Sequence, residues 1–128
     1  MGTLKVDTVV GSDGTSPVTL TKQEACKLRC RYNQATASIE SGGLNVTSIS
    51  DDSTGLFTVS ITSSMNDAFY SVSGMAGEQG NANNATFLSK QYNQADYSTS
   101  AIPVSTWDTT GIHQDSERDS VIVFGDLA

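Results

Sequence analysis

The sequence predicts an all-β fold: an antiparallel β-sandwich of jelly-roll type, preceded by an extended N-terminal arm. Three observations carry that expectation. About a quarter of the 128 residues are Ser or Thr and only 16% are charged, which suits pleated surfaces and polar turns. From Lys27 onward, short apolar alternations of period two follow one another, separated by clusters of Gly, Asn, Asp and Ser. A helical face is sustained nowhere. The length is that of one common domain, and the 37% hydrophobic content supplies one core.

The arm comprises residues 1–25. In "TLKVDTVV", Leu4, Val6 and Thr8 alternate against Lys5, Asp7 and Val9, as a strand requires. "GSDGTSP" then breaks the chain, and Thr21 and Glu24 are spaced as a capping box that could start a short helical turn. So few large apolar residues cannot fold alone. The arm is expected to lie against the body of its own chain or against a neighbour, which makes Leu4, Val6, Val9 and Val10 the candidates for docking.

The β-domain, residues 26–128, reads as eight runs: "KLRCRYN", "ATASIES", "LNVTSIS", "GLFTVSIT", "YSVSGMA", "ATFLSKQ", "IPVSTWD" and "SVIVFGD". Turns are expected at "SGG" (41–43), "DDSTG" (51–55), "SSMND" (63–67) and "GEQGNANN" (77–84). Phe57, Val59 and Ile61 form an apolar face opposite Leu56, Thr58, Ser60 and Thr62. Asp51 and Asp52 are expected to bond nearby amides, and Gly55 to supply the positive φ that closes the turn.

Charge and motif content exclude several function classes. A net charge of −7 opposes binding to a phosphate backbone, which needs Lys and Arg to displace counterions. The longest compact apolar run, "VIVF" at Val121–Phe124, is far short of a membrane span. The start "MGTLKVDTVVG" lacks the basic and apolar regions of a signal peptide, and Val6 stands where a myristoylation motif needs Ser or Thr. Cys26 and Cys30 share a strand face but lie too far apart along it for a disulfide. With the single His113 they make no metal pattern, so both are expected as reduced, packed thiols.

Candidate chemistry is sparse. His113 is the only residue able to serve as a triad base, yet no G-x-S-x-G elbow occurs, and "TGIHQDSERD" reads as an exposed polar loop. Paired carboxylates of the glycosidase kind need a cleft that so small a domain hardly offers. "DDSTG" and "HQDSERD" present oxygen ligands but not the EF-hand spacing, so Asp51, Asp52 and Asp115 are expected to cap turns. Trp107, Tyr92 and Tyr97 are candidate platforms for a sugar ring; core or interface packing is their ordinary alternative. No cofactor is called for.

The order "LKVDTVV", "KLRCRYNQ", "LNVTSISDDSTGLFTVSITSSMNDAFYSVSG" and "DSERDSVIVFGD" resembles small virion fibre proteins of tailed bacteriophages, especially marine and cyanobacterial ones. Its most distinctive part is N-V-x-S-I-x-D-x-x-x-G-x-F-x-V, running from Asn45 to Val59. Tyr32 and Gln34 stand where that group has Phe and Gly. The resemblance implies a non-enzymatic structural subunit of the virion, a homotrimer that docks by its N-terminal part and projects a β-domain. Its partners would be sister copies, other virion proteins and, in the alternative of a receptor-recognition module, a host-surface glycan.

Overall fold

The computed structural model describes residues 25–77, 87–90 and 96–128. Leu4, Val6, Val9 and Val10, the capping box at Thr21 and Glu24, and Tyr92 lie outside the described residues. The described part is all-β, with no helix. Its strands are β1 (Cys26–Asn33), β2 (Ser38–Leu44), β3 (Val46–Ser53), β4 (Leu56–Ile61), β5 (Ser71–Met75), β6 (Phe87–Lys90), β7 (Ala101–Trp107) and β8 (Asp119–Phe124).

They form two four-stranded antiparallel sheets, ordered β2-β1-β8-β5 and β3-β4-β7-β6. Alternation along the strands aims roughly every second side chain inward. In β1 these are Leu28, Cys30 and Tyr32; in β4 Phe57, Val59 and Ile61; in β7 Ile102 and Val104; in β8 Val121 and Val123. All belong to one buried cluster, so both sheets contribute to the same core. The rings of Tyr32 and Phe57 meet with centroids 5.2 Å apart, linking a strand of one sheet to a strand of the other. Each fully buried aliphatic or aromatic side chain of this kind contributes about 1.5–3 kcal/mol.

Three expectations about the chain's path need correction. "SGG" is no turn: Ser41, Gly42 and Gly43 lie within β2, whose register against β1 shifts between Arg29 and Arg31 and again before Tyr32. Such bulges absorb glycines without ending a strand. The turn falls instead at Asn45, which breaks "LNVTSIS" in two. Its φ is +59°, and its side chain accepts from the Ser63 amide and donates to the Ser63 carbonyl. Asn tolerates this left-handed geometry because its amide bonds locally, and this one residue carries the chain from one sheet to the other. Finally, "ATASIES" begins as a turn, with Ala37 at φ +49° and bonded back to Gln34, so β2 starts only at Ser38.

The strand-to-strand turn at Thr54 and Gly55 is where the sequence placed it, with Gly55 at φ +66°. Asp52 accepts from the hydroxyls of Ser50 and Thr58, whereas the Gly55 amide is capped from a distant loop by Asp115 at 2.6 Å. A Cβ on Gly55 would sit 2.6 Å from the Gln114 amide nitrogen and 2.7 Å from the Thr106 carbonyl oxygen. Gly111 has a similar φ of +81° but open space around it. Gly55→Ala is therefore expected to cost about 3 kcal/mol or more in chemical denaturation, and Gly111→Ala only about 1–2 kcal/mol. Equal losses at the two positions would contradict the packing described.

Candidate functional site

The best-built polar constellation closes one end of the core. Four inward-facing rows end there, and each ends on a polar residue or glycine. Leu28, Cys30 and Tyr32 lead to Gln34; Ile102 and Val104 lead to Thr106; Val123 and Val121 lead back to Asp119; and Ile61, Val59 and Phe57 lead back to Gly55. Gln34 is 2% exposed, and Thr106, Ser116 and Asp119 are fully buried.

These groups are bonded to one another. The Gln34 side-chain amide donates to Thr106 Oγ1 at 2.8 Å and to Asp119 Oδ2 at 2.8 Å, with Ser116 Oγ at 3.4 Å. The Thr106 hydroxyl spends its own proton on the Gln114 carbonyl at 2.7 Å, so its oxygen is free to accept, and this fixes which end of the Gln34 amide faces it. Ser116 donates to Asp119 Oδ1, and the Gln34 amide nitrogen donates to the Ser116 carbonyl at 2.9 Å. "TGIHQDSERD" is therefore not the exposed loop the sequence suggested. Its middle folds inward because the core end needs hydrogen-bond partners.

Burial pushes the Asp119 carboxyl up from 3.8 to about 6; the bonds from Ser116 and Gln34 oppose that rise, and the charge of Asp115 adds to it. Tyr32 holds its proton more tightly for the same first reason, burial, reinforced by the charges of Asp51, Asp115, Asp119 and Asp52. The Tyr32 hydroxyl and Gln34 Oε1 are buried without a hydrogen-bond partner. Being wholly enclosed, the constellation can hold structure and store a proton, but a dissolved substrate cannot reach Ser116 or Asp119 without opening the fold. Among the described residues, no three His, Cys, Asp or Glu side chains come together as a metal site needs.

The candidate aromatics lie elsewhere. Trp107, half-buried at the end of β7, packs against His113 with centroids 3.7 Å apart and the rings tilted by 32°, and donates its indole N–H to Ser89 at 2.8 Å. His113 is carried there by the turn in which Asp108 accepts from Thr110 and from the Ile112 amide, bonds that hold the Asp108 carboxyl below its usual range. Tyr97 stacks on Tyr70 at 5.7 Å, with Lys90 over its ring and ion-paired to Asp96. The two aromatics thus have separate partners. Cys26 is half-buried and Cys30 buried, both as free thiols.

The sequence reading missed Gln34, Thr106, Ser116 and Asp119. Parity could have found three of them, since each is the next same-face residue beyond an apolar row. Ser116, in irregular backbone, had no such signal. Compared with protein-family models, curated proteins and solved structures, the chain matches none.

The raised Asp119 carboxyl sets a pH dependence. Because the folded state binds this proton more tightly than the unfolded chain, the group's contribution falls as pH rises from about 4 to about 6 and is flat above that. Asp119→Asn removes that slope. In urea titrations from pH 4 to 7, wild-type stability relative to the variant is expected to drop by up to about 3 kcal/mol over this window. A difference that stays constant with pH would show that the carboxyl is not held as described.

Proposed function

We propose that this chain is a non-enzymatic structural subunit of a bacteriophage virion: a short fibre, spike or head-decoration protein. In this reading it assembles as a homotrimer, docks to other virion proteins through residues 1–25, and projects a β-sandwich. The observation that carries the reading is the pairing of an inwardly committed polar system with an outwardly apolar edge. The polar groups that could do chemistry are spent on closing the core. Phe69 and Met75, by contrast, are 93% and 75% exposed, and they stand at the two ends of β5, which among the described residues has one neighbour in its sheet. An open strand edge flanked by large apolar side chains favours contact with another subunit over contact with water. The resemblance of Asn45–Val59 to phage fibre proteins supplies the particle, and the all-β architecture is of the kind that reading requires.

Light scattering over a hundredfold range of concentration is expected to give about three chain masses, with Phe69→Glu plus Met75→Glu weakening assembly at least about tenfold. A monodisperse monomer throughout would end the trimer reading. A chain lacking residues 1–25 is expected to be lost from purified particles.

A second reading, recognition of a host-surface glycan, is favoured by one feature. The half-exposed Trp107 ring is held in place by His113 and Ser89, so it could present a pre-set face to a sugar. On a glycan array, wild-type binding that Trp107→Ala reduces at least about tenfold is expected if this reading holds; absence of binding to any glycan counts against it.

A further inference from the structure

The polar layer at the closed end of the core holds the three parts of an acyl transfer in contact. Gln34 supplies a side-chain amide, Thr106 a hydroxyl and Asp119 a carboxyl, and all three are buried. The Gln34 nitrogen stands 2.8 Å from Thr106 Oγ1 and 2.8 Å from Asp119 Oδ2. Its amide carbon is one bond of about 1.33 Å further on, so the Thr106 oxygen lies within roughly 4 Å of a carbonyl carbon. A small rotation of the amide closes that gap to the roughly 3–3.5 Å of a reactive contact. The Thr106 hydroxyl donates to the Gln114 carbonyl at 2.7 Å, which leaves a lone pair of Oγ1 directed at the amide. Nothing dissolved has to enter, because nucleophile and acyl group belong to the same chain.

We infer that Thr106 and Gln34 join in an intramolecular ester, a covalent tie between the two sheets. In this step Thr106 Oγ1 bonds to Gln34 Cδ, and the Cδ–Nε2 bond breaks. The nitrogen leaves as ammonia, with its own two hydrogens and one more, so the Thr106 hydroxyl hydrogen balances the product and no second reactant is needed. Asp119 is the acid–base group. Its Oδ2 touches the nitrogen, and its Oδ1 is bonded to Ser116, whose Oγ is 3.4 Å from the same nitrogen. The carboxyl gives a proton to the departing nitrogen and takes up the proton of Thr106. Burial has pushed it up to about 6, so both of its forms are accessible near neutral pH.

The surroundings favour the product. Well-aligned groups in one chain react as though at an effective concentration on the order of 10⁵ M or more. Water is excluded from the layer, so it neither competes with Thr106 for the amide carbon nor hydrolyses the ester. Gln34 Oε1 is buried without a hydrogen-bond partner; an ester carbonyl is a weaker acceptor than an amide carbonyl, so conversion lessens the cost of leaving it unpaired. Loss of ammonia to solvent then makes the step irreversible. The tie joins residues 72 apart, one just after β1 in the first sheet and one in β7 of the second. It resists separation of the sheets, and it does not depend on the virion assignment.

Intact mass of the purified, folded full chain after incubation at neutral pH is expected to lie about 17 Da below that of the sequence, one ammonia lost. Trypsin cuts after Arg31, Lys90 and Arg118, so the ester appears as peptide 32–90 joined to peptide 91–118. Alkaline hydroxylamine, which cleaves esters and leaves amides, separates the pair. Thr106→Val should keep the full sequence mass. Thr58→Val, whose hydroxyl bonds Asp52 outside the layer, should lose ammonia as wild type does. Asp119→Asn is expected to slow the conversion at least about tenfold, with circular dichroism checking that each variant is folded. A folded wild-type chain that keeps its sequence mass overturns the inference. So does a loss of ammonia without the linked peptides, which would place the reaction at another amide. Should Thr106→Val fail to fold, the linked peptides of the wild type decide alone. None of these masses bears on the number of chains counted by light scattering.

Discussion

The fold depends on a hydrogen-bonded layer that closes one end of the core. Gln34 stands at its centre, bridging the first strand, the seventh strand and the start of the eighth through Thr106 and Asp119. Leaving a buried donor or acceptor unmade costs about 1–3 kcal/mol, more than a made bond contributes, so the layer acts mainly by penalising every arrangement in which its members do not meet. The Gln34 side-chain nitrogen reaches Thr106 and Asp119 across the two sheets, so these bonds form only where the sheets are placed as observed. The same layer positions the Asp115 carboxylate over the Gly55 amide, which sets the β3–β4 turn from sixty residues away.

That closure gives the molecule two unlike ends. At the polar end the side chains are spent on each other, and the 108–118 loop is pulled in to complete them. At the other end, Met65 and Tyr70 seal the core, the latter by donating its hydroxyl to the Ser98 carbonyl at 2.8 Å, and an apolar groove lies beside Cys26, Leu44 and Leu127. Along the side, β5 is an edge strand among the described residues, with Phe69 and Met75 exposed at its ends. An attached, self-associating subunit needs contact surfaces rather than a reactive cleft, and this distribution of polar and apolar groups is consistent with that proposal. Trp107 fits either reading, since packing on His113 both buries one face and steadies the other.

Much of the fold was legible in the residues, because parity is a local property. The eight runs from Lys27 onward correspond to the eight strands among the described residues, and Phe57, Val59 and Ile61 lie on the buried face their spacing requires. Gly55 takes the positive φ that "DDSTG" called for. Less legible were "SGG", where glycines entered a bulge instead of a turn, and Asn45, where one left-handed residue replaced a loop. Both depend on what lies opposite: the register of β1 in one case, Ser63 in the other. Asp51 and Asp52 had been given the work of capping, but the amide of Gly55 is served by Asp115, whose proximity no local pattern encodes.

By itself, the sequence determined the all-β class, the eight runs that became the described strands, the buried face of β4, and the net acidity. These follow from side-chain period, turn residues and net charge, each readable within a few positions. Only the tertiary structure decided that Gln34, Thr106, Ser116 and Asp119 form one buried layer, that His113 packs on Trp107, and that an apolar groove forms beside Cys26, Leu44 and Leu127. Hydrogen bonds between residues 34 and 119, or 55 and 115, exist only after two sheets have docked. Sequence separation hides them, and the cost of burying polar groups unpaired is what brings them together.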